Sequence, residues 1–166
     1  MNILILYDSF FSNTEKIART IGEAFSPNEV NVLKVDNVKY RNLENLDLLI
    51  VGSPTRAFSP TRAIKSFLRK IPKDGLKGIK VIAFDTRFAE EKIRSSFFAL
   101  PFFVKIFGYA ADSISKKLTK KGGKLVVPSE WFFVEDVEGP LKDGEIEHTK
   151  RWVKKILKQI DFSGNQ

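Results

Sequence analysis

The chain has 166 residues, 43% of them hydrophobic, with 28 Lys plus Arg against 20 Asp plus Glu and a net charge of +8. It has no cysteine and one histidine, His148, which excludes disulfides, thiolate nucleophiles, cysteine-ligated metal centres and poly-histidine metal sites. The length is that of one domain able to build a core unaided, and the basic balance biases the protein toward anionic partners without naming one.

Residues 3–7 are a continuous apolar run, as in a strand buried on both faces. A polar stretch broken by Phe10 and Phe11 follows, and Ile17, Ile21, Ala24 and Phe25 then recur at helical spacing until Ser26-Pro27. Val30, Val32, Leu33 and Val35 predict a second strand, and residues 38–46 a short helix or turn at most. Residues 48–51 predict a third buried strand ending at Gly52-Ser53-Pro54. Ser59-Pro60 reads as the N-cap and first position of a helix whose buried stripe is Ile64, Phe67, Leu68 and Ile71. Residues 81–84 form a fourth strand ending at Asp85. Ala110, Ala111, Ile114 and Leu118 mark a helix closed by Gly122-Gly123, residues 125–127 a fifth strand, and residues 145–160 a final amphipathic helix carrying His148 on its surface.

Strands alternating with helices imply an α/β fold around a parallel sheet. In such sheets ligands bind beyond the carboxyl ends of the strands, where the strand order reverses. The loops that matter are then 8–14, 53–59 and 85–109. The start of the chain has no basic leader region, and its apolar run is too short for a signal peptide. The longest uncharged stretch, 95–104, contains Pro101 and is too short to span a membrane. A soluble, cytoplasmic protein is expected.

The first loop, Ser9-Phe10-Phe11-Ser12-Asn13-Thr14, runs directly into a helix. A helix N-terminus offers free N–H groups and partial positive charge, so this loop can cradle a phosphate without a charged side chain. The same letters also spell a capping box, with Ser12 as N-cap and Glu15 three residues on. The stretch from Ile3 to Thr14 resembles the start of a flavodoxin, whose first loop holds the phosphate of flavin mononucleotide (FMN). Ser9, Asn13 and Thr14 match the family pattern, and Ser12 stands where glycine is usual.

The second loop, Gly52-Ser53-Pro54-Thr55-Arg56-Ala57-Phe58, resembles the second FMN loop, with Phe58 placed to stack on the flavin ring or to pack beneath the loop. A response-regulator receiver shares this topology but needs an aspartate at the end of strand three, where this chain has Gly52-Ser53-Pro54. Asp85-Thr86-Arg87-Phe88 stands where the family's third loop meets the flavin through backbone N–H groups, with Phe88 or Tyr109 as an aromatic cover. The resemblance is weakest at 88–107, within an aromatic-rich, basic insertion over 88–109 that either packs over the sheet edge or the flavin or serves as a docking surface.

The resemblance implies a single flavodoxin-like domain over 1–162 with a short tail at 163–166. Its fold is a three-layer α/β sandwich with a five-stranded parallel sheet of order 2-1-3-4-5. It implies FMN held by the three loops and electron transfer to an unidentified redox partner protein, with no catalytic side chain and no metal. The alternative is an FMN-dependent oxidoreductase acting on a quinone or other membrane-associated substrate through 88–109, in weak contact with a membrane surface. Nucleic-acid binding is not expected, and the protein should be a monomer or weak dimer. Arg56 and Arg87 flank the implied flavin site and should favour anionic reduced flavin, raising the potential.

Overall fold

The computed structural model describes residues 1–89 and 109–164. The elements run β1 (Asn2–Tyr7), α1 (Asn13–Ala24), β2 (Glu29–Lys34), two short 3-10 turns (Val35–Asn37 and Tyr40–Leu43), β3 (Leu48–Pro54), α2 (Arg62–Lys70), β4 (Lys80–Phe88), α3 (Ala110–Lys120), β5 (Lys124–Leu125), β6 (Glu130–Val134) and α4 (Glu145–Gly164). Every strand pair is parallel, in the order β2-β1-β3-β4-β5, and β6 also pairs with β4.

Because side chains alternate across a strand, each buried run supplies two cores. Leu4, Leu6, Leu49, Val51, Val81 and Ala83 point to one face, where Ile64 and Leu68 of α2 and Ile114 and Leu118 of α3 cover them. Ile3, Ile5, Leu48, Ile50, Ile82 and Phe84 point to the other, under Ile17 and Ile21 of α1 and Trp152, Val153 and Ile156 of α4. The result is the expected three-layer sandwich. Gly52 has a packing reason: a Cβ there would lie 2.1 Å from Cζ of Phe84.

Three expectations change. The fifth strand is broken. Lys124 pairs with Lys80, but Glu130 pairs with Phe84, so the four residues 126–129 stand opposite the two residues 82–83. Pro128, which has no N–H to give a ladder, lies in that break. Second, residues 85–88 are strand rather than loop, because β6 gives the end of β4 a partner: Asp85 opposes Trp131 and Phe88 opposes Val134. Fully buried Phe132 anchors β6 edge-on to Phe84 (6.0 Å between centroids) and Trp152 (5.8 Å). Third, α2 is capped by Thr61, whose Oγ1 accepts from the Ile64 N–H at 3.3 Å, because Ser59 is used in a turn.

His148 is not a plain surface residue. Its Nδ1 lies 3.0 Å from Glu145 Oε2 and its ring packs on Phe132 at 5.1 Å, tying α4 to β6. The aromatic insertion lies almost wholly outside the described residues.

Candidate functional site

β1, β3 and β4 deliver their carboxyl ends to one cleft of about 360 Å³, within the roughly 300–1,000 Å³ of small-molecule sites. Its walls are Ser9, Phe10, Phe11, Asn13 and Thr14 from the first loop; Pro54, Thr55, Arg56, Ala57 and Phe58 from the second; and Thr86, Arg87 and Phe88 from β4, with Tyr109, Val134 and Val137 added.

The first loop turns into α1 through Ser12, which sits in left-handed backbone at φ 61. That conformation is easy for glycine and costs about 1 kcal/mol for serine. Ser12 makes no side-chain cap, and Glu15 pairs with Arg19 at 2.7 Å instead, so the capping box does not form. Hydrogen bonding to Arg19 holds the Glu15 carboxyl below its ordinary range. Burial and Glu15 push the Tyr7 hydroxyl up. Asn13 and Thr14, at the uncapped first turn of α1, line the cleft. Their side chains also bind the walls together. Asn13 Nδ2 donates to the Gly139 carbonyl at 2.6 Å, and Thr14 Oγ1 lies 2.8 Å from Thr86 Oγ1.

In the second loop, Arg56 and Ser59 exchange two backbone hydrogen bonds of 3.0 Å. The turn between them places Ala57 at φ 44 and Phe58 at φ 59. Two positive φ values in a two-residue turn favour Asn-Gly sequences, and here Ala-Phe bears the strain. Ala57→Gly should therefore raise stability by about 0.5–1 kcal/mol, read as a higher urea midpoint. An unchanged or lower midpoint would mean that the turn carries no strain at Ala57. The Arg56 guanidinium lies 4.9 Å from the Phe10 ring centroid, joining the first loop to the second.

The third segment departs most from expectation. Asp85 is fully buried and does not line the cleft. Its oxygens take Arg87 Nε at 2.6 Å and Arg87 NH2 at 2.7 Å, and one also takes the Ala111 N–H at 2.9 Å. Burial pushes this carboxyl up, opposed by the Arg87 guanidinium and the Ala111 N–H. Arg87 is itself sandwiched, 3.5 Å from the Tyr109 ring centroid and 5.0 Å from that of Trp131. Its charge reaches the cleft already balanced by Asp85. Of the two arginines expected to raise a flavin potential, only Arg56 is without an ion-pair partner among the described residues. The backbone of residues 85–88 is also partly committed: Thr55 N–H donates to the Thr86 carbonyl at 2.9 Å, and β6 takes the other edge.

All the nominated residues therefore line the cleft except Ser12, which is exposed, and Asp85, which is buried. Val134 and Val137 were missed because they come from β6 and the turn after it, which the sequence reading did not place on the sheet. The alternation of buried Phe132 and Val134 with exposed Trp131 was the available signal.

A parallel sheet with helices on both faces, and a cleft outside the carboxyl ends of its central strands, defines the doubly wound α/β class, whose ligands bind in that crevice. Residues 4–129 match the family model for a flavodoxin domain. The fold is similar to that of an archaeal flavodoxin, with 19% identity, a TM-score of 0.75 and coverage of 97% of this chain and 99% of that one. It is similar to Flavodoxin 2 from Bacillus cereus, with 21% identity, a TM-score of 0.75 and coverage of 96% and 99%. It also resembles part of rubredoxin oxygen:oxidoreductase from Desulfovibrio gigas, with 18% identity and a TM-score of 0.68, covering 96% of this chain and 37% of that one. A comparison with curated protein sequences gave no match. The chain belongs to the flavodoxin family and is an FMN-binding electron-transfer protein. Among the described residues no helix is long and apolar enough to cross a membrane.

Proposed function

We propose that the cleft holds FMN through the three segments that converge on it, and that the protein exchanges electrons with a redox partner protein in the cytoplasm. The observation that carries this reading is the convergence itself. Three segments far apart in sequence line one cavity, with the uncapped start of α1 among polar residues and Phe58, Phe88 and Tyr109 among its aromatic walls. An open helix N-terminus suits a phosphate, and aromatic walls suit a flat ring.

Ser9 and the backbone of residues 12–14 would hold the phosphate, and Pro54 to Phe58, Thr86 to Phe88 and Tyr109 would meet the ring. Bound FMN supplies one- and two-electron transfer. The chain's own work is to anchor, orient and partly dry the group, and no side chain is needed as acid, base or nucleophile. Thr14, Thr86 and Asn13 fix the walls by bonding to one another and to Gly139. Exposed Phe10, Phe11 and Val137 form the rim where a partner can approach.

Titration of the cofactor-free protein with FMN tests the reading. The expected result is one equivalent bound below micromolar concentration, with quenched flavin fluorescence and a resolved visible band. Absence of binding at micromolar FMN would overturn it.

A further inference from the structure

The two sides of the cleft mouth carry opposite charge. On the side of β2 and α2 a second pocket opens, sharing Ser9, Phe10 and Arg56 with the cleft. Lys34, Arg56, Arg62 and Lys65 line it, against Asp8 and Asp36. Among the described residues none of these four cations is held in an ion pair, and the Asp8 carboxylate is occupied with the Ser9 N–H at 2.9 Å. On the opposite side the turn after β6 carries exposed Asp136 and Glu138. Between the two sides lie aromatic and aliphatic side chains, with Phe10 56% and Val137 51% exposed.

An apolar centre with a charged rim is the anatomy of a transient protein interface, and an arginine laid on an aromatic ring is a common anchor in one. We propose that the cationic wall of Lys34, Arg56, Arg62 and Lys65 docks an acidic redox partner protein beside the mouth of the cleft. This rests on the reading of the cleft as the flavin site. The wall supplies attraction, and the acidic turn opposite repels the same partner. An acidic protein is therefore admitted in one orientation, with its negative patch on the α2 side. Charge arranged in this way governs encounter rate and register, and it fades with salt.

The test uses a plant-type [2Fe–2S] ferredoxin, a strongly acidic redox protein, as probe. Its binding is measured by calorimetry to the FMN-loaded and the FMN-free protein, at low and at high salt. Two triple variants lose the same net charge. Lys34→Gln, Arg62→Gln and Lys65→Gln strip the wall; Lys116→Gln, Lys117→Gln and Lys120→Gln strip the exposed face of α3. The wall variant should bind about tenfold more weakly at low salt, the α3 variant less than about threefold, and high salt should erase the difference. Arg62→Gln alone, at an exposed position, should shift binding in the same direction and serves if the triple variant fails to fold. Equal weakening by the two triple variants would overturn the proposal by showing a net-charge effect. No binding at low salt would also overturn it, as would salt-sensitive self-association through the wall, which would assign it to a second copy of this chain. Binding scored without FMN separates failure of the docking surface from failure of the flavin reading.

Discussion

Asp85→Ala should destabilise the FMN-free protein by about 3–5 kcal/mol, the loss typical of removing one partner from a buried ion pair. Asp85 is fully buried, and its oxygens accept hydrogen bonds from Arg87 Nε and NH2 and from the Ala111 N–H. Arginine keeps its proton in proteins, so the variant leaves a cation buried against Tyr109 and Trp131 with its counter-charge removed. It also leaves the Ala111 N–H, at the start of α3, without its acceptor. Ordinary domains are stable by about 5–15 kcal/mol, so the loss is a large share of the total. The double variant Asp85→Leu with Arg87→Met removes both charges and should recover most of the deficit, because a paired charge contributes little beyond an apolar replacement of similar volume. Urea unfolding of the three proteins checks both statements. A loss below about 1 kcal/mol for Asp85→Ala would show that solvent or a rearranged neighbour reaches Arg87.

Ser9→Asp should weaken FMN binding about 100-fold, equal to about 2.7 kcal/mol, while leaving the cofactor-free fold as stable as before or slightly more so. Ser9 is half-buried and lines the cleft beside the uncapped start of α1. A carboxylate there is attracted by the helix N-terminus, an effect worth about 0.3–1 kcal/mol at an exposed position. The same carboxylate repels a phosphate seeking the same N–H groups. Ser9→Ala removes only a neutral hydrogen bond and should cost about 0.5–1.5 kcal/mol of binding. Fluorescence titration and urea unfolding, run on the same samples, read the opposed effects. A folded Ser9→Asp variant that binds FMN as tightly as the parent would show that the phosphate does not lie at Ser9.

The buried runs at 3–7, 48–51 and 81–84 were legible because strands covered on both faces are apolar throughout. They carried the parallel α/β class, while the strand order, and with it the place of the cleft, was implied by the resemblance of the loops to those of flavodoxins. The second half of β4 was not legible because Asp85, Thr86 and Arg87 are polar in isolation. They are buried only because each finds its partner: Asp85 and Arg87 each other, and Thr86 the hydroxyl of Thr14. An acid and a base two residues apart in a strand share one face, so the pair could have been suspected from spacing. Nothing local discloses the contact between Thr14 and Thr86, which are 72 residues apart. The helix cap at Thr61 was misplaced because Ser59 suits a cap equally well. Only the turn that Ser59 closes with Arg56 decides between them.

The break between β5 and β6 takes in two more residues than β4 has opposite it. Two is an even number, and side chains alternate along a strand, so the parity of the edge is preserved across the break. Phe132 and Val134 still turn inward, and Trp131 still turns out. An insertion or deletion of one residue between Val126 and Ser129 would invert that parity, exposing Phe132 and forcing Trp131 and Phe133 toward the core. Length changes at this edge should thus be tolerated in steps of two and resisted in steps of one.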